Sequence, residues 1–152
     1  MRKVAILMGS ETDRPVMEAA LPYLDHFQVP YEIHVLSAHR NPDQVARFAA
    51  AARENGFGVL IAGAGMAAHL AGAVKAHSTL PVIGVPLPGG VADGLDALLS
   101  TVQMPKGVPV AAMSVGKAGA INAAVLAAEI LALDEPALHE RLVQFKARGA
   151  KL

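Results

Sequence analysis

The sequence predicts an α/β fold in which a parallel sheet of five strands is covered by helices on both faces, forming three layers. Short apolar runs typical of buried strands alternate with longer segments that have helical spacing. The connecting loops are short, and this alternation is typical of a doubly wound parallel sheet. No repeat, linker or low-complexity segment interrupts the 152 residues, so we expect a single domain over residues 1–152.

Five segments have the length and composition of strands. Most are almost continuously apolar, as expected for strands buried on both faces. The second segment alternates instead, with Glu32 and His34 on one side, which predicts an edge strand with one wetter face. An edge position for this strand favours the flavodoxin-like order 2-1-3-4-5. The predicted strands are Lys3–Met8, Tyr31–Leu36, Val59–Ala62, Pro81–Val85 and Val108–Val115.

Six segments have the spacing or the terminal residues of helices. The first has Thr12 or Asp13 as its N-cap and Pro15 in its first turn. The second has Asn41 as its N-cap and Pro42 at the first helical position. Pro136 opens the last. The predicted helices are Arg14–His26, Pro42–Asn55, Ala67–Ala76, Leu95–Val102, residues 118–133 and Leu138–Arg148.

The composition indicates that apolar surface is buried between subunits. Apolar residues make up 53% of the chain and charged residues 17%, against about 45–50% and about 25% in typical domains. Residues 118–133 are apolar around nearly the whole helical circumference, which is typical of a helix covered on several sides. A membrane span is the alternative, but Lys117, Glu129 and Asp134 leave no stretch near the ~20 residues required. We therefore expect a homo-oligomer.

Charge and residue usage exclude several classes of function. With 13 Lys+Arg and 13 Asp+Glu, no net charge favours nucleic acid or an anionic membrane as a partner. The chain has no cysteine, which excludes disulfides and thiolate catalysis. The histidine spacing matches no metal site, so we expect no metal. The N-terminal segment is too short for a signal peptide, and we expect a cytoplasmic protein.

Polar residues follow the first predicted strand, in Gly9-Ser10-Glu11-Thr12-Asp13. Backbone N–H groups and two hydroxyls at a helix N-terminus favour a phosphate. The Asp13 carboxylate would repel a phosphate and is better suited to accept hydrogen bonds from ribose hydroxyls. The alternative is that Ser10, Thr12 and Asp13 only cap the helix.

A second polar turn, Ser37-Ala38-His39-Arg40, follows the second strand. Right-handed crossovers place it beside the first turn, at the carboxyl edge of the sheet, where ligands bind. An imidazole is suited to general acid–base catalysis at neutral pH, and arginine binds phosphate or carboxylate through two hydrogen bonds. The alternative is a structural histidine.

The third strand is followed by Gly63-Ala64-Gly65-Met66-Ala67-Ala68, which matches the dinucleotide fingerprint G-x-G-x-x-G/A. Dinucleotide sites also require an acidic residue at the end of the next strand. That residue is missing here, since the first Asp or Glu after this loop is Asp93. We therefore interpret the glycines as allowing the backbone to approach a flat ligand. His69 either points into the same cleft or packs against the fold, and packing is favoured.

Five blocks of this sequence resemble the PurE family, and the likeness covers nearly the whole chain in the family's order and spacing. That family comprises N5-carboxyaminoimidazole ribonucleotide mutases and the related aminoimidazole ribonucleotide carboxylases of purine biosynthesis. The blocks are Met8–Asp13, Ser37–Asp43, Ala62–Leu70, Val102–Val110 and Gly116–Ala124.

Two blocks resemble the mutase class more than the carboxylase class. Mutases carry His-Arg in the second block and G-A-G-G-A-A-H-L in the third, whereas carboxylases typically have His-Lys and a G-R-S-N-A-like segment. His39-Arg40 and Gly63–Leu70 are similar to the mutase pattern. The alternatives are direct carboxylation of aminoimidazole ribonucleotide and a non-enzymatic, flavodoxin-like nucleotide-binding module.

The resemblance implies a role for each site residue. His39 would be the general acid–base in a decarboxylation followed by a recarboxylation, with no ATP, metal or organic cofactor. Ser10 would bind phosphate, Asp13 ribose, and Arg40 phosphate or carboxylate. The resemblance also implies an octamer with sites at subunit contacts. Further substrate-binding positions would be Gly9, Thr12, Ser37, Ala38, Ala64, Gly65, Met66 and Leu70, with His69 a possible addition.

The chain departs from the family pattern at three positions. Met66 stands where glycine is usual, and Ala71 stands where proline is usual. Thr12 replaces the common serine and keeps the hydroxyl. The sequence leaves open whether Met66 narrows the pocket or moves the backbone of its loop.

Overall fold

The computed structural model describes all 152 residues. It contains one five-stranded sheet with the strand order β2-β1-β3-β4-β5. Every neighbouring pair is parallel, and β2 lies at an edge. The predicted fold class and strand order are therefore confirmed. The strands are β1 (Lys3–Met8), β2 (Tyr31–Val35), β3 (Phe57–Ala64), β4 (Val82–Pro86) and β5 (Ala111–Ala112).

The predicted length of the fifth strand is wrong. Only Ala111 and Ala112 pair with β4, opposite Ile83 and Gly84, whereas the apolar pattern predicted Val108–Val115. Pro109 has no N–H to donate to a ladder, and proline is confined to strand edges and starts. The strand therefore begins only after this proline. β3 is longer than predicted at both ends.

The helical layers contain seven α-helices, and most bounds differ from those predicted. The predicted first helix is broken, because Glu18–Ala20 form a turn of 3-10 helix. Pro22 explains the break, since it lacks an N–H and its ring clashes with the carbonyl four residues earlier. The helices are α1 (Arg14–Met17), α2 (Leu21–Phe27), α3 (Pro42–Ala51), α4 (Leu70–His77), α5 (Leu95–Val102), α6 (Lys117–Leu131) and α7 (Pro136–Ala147).

The core has two parts, one on each face of the sheet. Val4, Ile6 and Met8 of β1 point into the part covered by α1, α2, α6 and α7. Ala5 and Leu7 point into the part covered by α3 and α4. All five side chains are almost completely buried. This confirms that β1 is a central strand, since successive side chains of a strand face opposite sides of the sheet.

The apolar helix α6 is largely covered by its own chain. Its small residues pack against the sheet and the neighbouring helices, and Ala120, Ala124 and Ala128 are fully buried. The uncovered apolar surface lies instead on α5, where Leu95, Leu99 and Val102 are each about half exposed. Their spacing places them on one helical face. None of the helices combines the length and the apolar character needed to span a bilayer.

Candidate active site

The loops after β1, β2 and β3 meet at the carboxyl edge of the sheet, at the position where the strand order reverses. They enclose a cavity of about 250 Å³. Most of the predicted site residues line it, and Thr12 and Met66 do not. Ala67 is the one lining residue absent from the predicted set, although its loop was singled out. The predicted residues that line the cavity are Gly9, Ser10, Asp13, Ser37, Ala38, His39, Arg40, Ala64, Gly65, His69 and Leu70.

A larger groove of about 780 Å³ lies at the opposite edge of the sheet. Some of its polar groups are paired within the chain: the Arg2 guanidinium donates to the carbonyl oxygens of Arg53 and Phe57. The Met1 amino group lies 3.4 Å from a carboxylate oxygen of Glu135. Ligands of parallel sheets bind at the carboxyl ends of the strands. The smaller cavity is therefore the better candidate.

In the first loop, Ser10 organises the turn that follows β1. Its Oγ accepts hydrogen bonds from the Thr12 N–H at 3.2 Å and from the Thr12 hydroxyl at 3.0 Å. Ser10 is thus the N-cap of the 3-10 turn Glu11–Asp13 that precedes α1. Asp13 occupies the N-cap position of α1, one of the two predicted alternatives, but its side chain makes no cap hydrogen bond. The serine reaches the free N–H because its own backbone is extended. Thr12 holds Ser10 in place instead of facing the cavity.

Asp13 lines the cavity and is partly buried. Burial raises the pKa of the Asp13 carboxyl above its ordinary value of 3.8, and a backbone hydrogen bond to Ser10 opposes the rise. Burial acts this way because the charged form loses more hydration than the neutral form. Asp13 makes no salt bridge within the chain, so its acceptor oxygens are available to a ligand.

The second loop is a tight turn that places His39 and Arg40 at the cavity. Ser37 Oγ accepts from the Arg40 N–H at 3.1 Å, and Asn41 Oδ1 accepts from the Ser37 N–H at 3.3 Å. Asn41 is the N-cap residue of α3 and Pro42 opens the helix, as predicted, but the Asn41 side chain closes the turn and makes no cap bond to the helix. Arg40 is exposed and forms no ion pair within the chain, which leaves its guanidinium available for an anion.

The third loop brings His69 into contact with His39. His39 Nε2 lies 2.5 Å from His69 Nδ1, and the two rings are nearly perpendicular, at 89°. One of these nitrogens carries the shared proton and the other accepts it. The favoured interpretation of His69 as a packing residue is wrong. Because α4 begins only at Leu70, His69 belongs to the loop rather than to the helix.

The glycines and Met66 of the third loop have separate structural roles. A side chain at Gly63 would overlap the buried side chain of Met17, so Gly63 serves the core. Gly65 lines the cavity. Met66 has a φ of +54°, in the left-handed region that glycine adopts most easily. Its side chain is 65% exposed and does not narrow the cavity of this chain.

The fold and the cavity together define the class: this is a doubly wound α/β protein whose candidate ligand site, with two paired imidazoles, lies at the carboxyl edge of the strands. A family model described as "AIRC: AIR carboxylase" matches residues 3–151. The chain belongs to this family, and the resemblance found in the sequence is confirmed.

Curated relatives and solved structures agree with this assignment. The chain is 50% identical over 140 residues to an N5-carboxyaminoimidazole ribonucleotide mutase of Escherichia coli, covering 92% of this chain and 83% of the relative. It is 57% identical over 133 residues to the Bacillus subtilis mutase of the same name, covering 87% and 82%. The crystal structure of Treponema denticola PurE matches with a TM-score of 0.85 at 27% identity, covering 97% of this chain and 90% of that one.

Proposed function

We propose that this protein is an N5-carboxyaminoimidazole ribonucleotide mutase of purine biosynthesis, an isomerase that forms 4-carboxyaminoimidazole ribonucleotide. One observation carries the proposal: His39 and Arg40 line the cavity in a chain about half identical to relatives curated under that name. The His-Arg pair is the feature that the sequence resemblance associates with the mutase class.

The chemistry needs one group that first gives and then takes a proton. The bond between the exocyclic nitrogen and the carboxylate breaks, carbon dioxide leaves, and His39 protonates the nitrogen. Ring carbon 4 then attacks the trapped carbon dioxide, and His39 removes the proton from that carbon. The imidazole returns to its starting state, so no other reagent is consumed. Water must be kept out so that carbon dioxide is retained.

The remaining side chains of the cavity bind the substrate. Ser10 lines the cavity, and its hydroxyl donates to the phosphate together with nearby backbone N–H groups. Asp13 accepts from the ribose hydroxyls. Arg40 binds phosphate or carboxylate through two hydrogen bonds. The small residues of the three loops, Gly9, Ser37, Ala38, Ala64, Gly65 and Ala67, form the walls together with Leu70.

We also propose that the protein acts in the cytoplasm as a homo-oligomer, most simply the octamer that the family resemblance implies. The apolar stripe of Leu95, Leu99 and Val102 on α5 supports a subunit contact, because large apolar patches are rare on monomers. The cavity volume of about 250 Å³ is below the range of about 300–1,000 Å³ that is usual for ligand sites. A neighbouring subunit that adds a wall would complete it.

Turnover assays with two substrates test the function. The purified protein is incubated with synthetic N5-carboxyaminoimidazole ribonucleotide, and separately with aminoimidazole ribonucleotide and bicarbonate. We expect turnover in the first assay and its loss in His39→Asn, with substrate still bound. Turnover only in the second assay would instead identify a direct carboxylase, the activity in the family model's description. If the wild-type protein and His39→Asn bind the substrate equally well and neither assay shows turnover, the protein is a nucleotide-binding module.

A further inference from the structure

The loop of residues 66–69 has little hydrogen bonding of its own. The Ala68 N–H donates to the Met66 carbonyl at 2.9 Å, and the His69 N–H donates to the Ala67 carbonyl at 2.7 Å. Both bonds span only two residues, as in γ-turns, so neither ties the loop to another part of the chain. Met66 also has a positive φ. The position of His69 therefore depends on support from outside the loop.

Ser100 of α5 provides that support. Its Oγ accepts a hydrogen bond from the Ala68 N–H at 3.0 Å. The hydroxyl proton has its nearest acceptor in the Asp96 carbonyl at 2.7 Å, one turn back in α5, and the Met66 carbonyl lies at 3.2 Å. A hydroxyl donates once and accepts twice, so Ser100 links the Ala68 N–H to the helix backbone. Ala68 is buried, and its N–H is shared between the Met66 carbonyl within the loop and Ser100 Oγ, so Ser100 is its one partner outside the loop.

We propose that Ser100 is a positioning residue for the two imidazoles of the site. It holds Ala68, which immediately precedes His69, and His69 contacts His39. Ser100 does not line the cavity and acts only through the loop. The expected effect of Ser100 on kcat rests on the proposed function, because it requires His39 to transfer the proton. The expected effect of Ser100 on the order of the loop is independent of that function.

A variant at Thr101 is the control that distinguishes this positioning role from a contribution to the stability of α5. Its Oγ1 donates to the Ala97 carbonyl at 2.7 Å, which is the same type of bond to the preceding turn that Ser100 makes. Thr101 is buried and makes no hydrogen bond to the loop. Thr101→Val removes this bond while keeping the side-chain shape. Ser100→Thr keeps a hydroxyl that is able to bond the preceding turn from within a helix.

The experiment compares Ser100→Ala, Ser100→Thr and Thr101→Val in the full chain. For Ser100→Ala we expect kcat for N5-carboxyaminoimidazole ribonucleotide to fall about 10-fold with KM changed less than about twofold, because small misplacements of reacting groups lower the rate. Ser100→Thr should recover most of kcat, and Thr101→Val should retain it. Hydrogen exchange followed by mass spectrometry should show faster exchange of residues 66–70 in Ser100→Ala alone.

Two results would overturn the proposal. One is unchanged exchange and kcat in Ser100→Ala. The other is an equal loss in Thr101→Val, which would make the effect one of helix stability. If the wild-type protein does not turn over this substrate, the proposed function fails, and the exchange measurement by itself still decides whether Ser100 holds the loop.

Discussion

Replacing Asp13 with asparagine is predicted to change stability and activity in opposite directions. Because burial raises the pKa of this carboxyl, the folded chain keeps the proton to a higher pH than the unfolded chain. The free energy of unfolding therefore falls as the pH rises from 3.8 through the higher pKa of the folded state. Above that interval the ionised carboxylate is a constant cost to the fold. An asparagine cannot ionise and avoids the cost.

The expected loss of activity follows from the proposed contact with ribose. A hydrogen bond to a charged group contributes about 1.5–3 kcal/mol. At about 1.4 kcal/mol for each tenfold change, Asp13→Asn should lower kcat/KM about 10- to 100-fold. Urea unfolding at fixed protein concentration should show equal or greater stability than wild type at pH 7. This advantage should shrink as the pH falls toward 3.8.

Asp43→Asn is the matched control. Asp43 lies exposed in the first turn of α3 and outside the cavity. Its replacement should cost only the interaction with the helix dipole, about 0.3–1 kcal/mol, and should preserve kcat/KM. Retention of wild-type kcat/KM in Asp13→Asn would refute the contact between Asp13 and the substrate. If Asp13→Asn is less stable than wild type at pH 7, the inference that the ionised Asp13 carboxylate destabilises the fold is refuted.

Three further predictions concern the imidazole pair, the helix ends and the exposed apolar stripe. His69→Asn should lower kcat about 10- to 100-fold through loss of the contact with His39, and an unchanged kcat would show that the contact is not used. Gln28, at the end of α2, has a φ of 57°, so Gln28→Gly should raise stability by about 0.5–1 kcal/mol, and a lower melting temperature would contradict this. Leu99→Arg should reduce the mass measured by light scattering if α5 forms a subunit contact, whereas an unchanged oligomer would exclude that face.

Much of the candidate site could be predicted from the sequence because parallel topology places all strand ends at one edge. Ser10, Asp13, His39 and Arg40 each follow an apolar run, and right-handed crossovers leave few possible arrangements for such loops. The predictions of helix and strand bounds were less accurate. Pro22 and Pro109 remove N–H donors within patterns whose hydrophobic spacing continues unbroken.

The sequence by itself determined the fold class, the strand order and the edge of the sheet where polar groups converge, since these depend on local periodicity and on chain handedness. The tertiary structure decided the contact between His39 and His69, the support of Ala68 by Ser100, and the exposure of the α5 stripe. The two contacts join residues about thirty positions apart in the chain. Their geometry depends on how two elements pack, and no local pattern records it.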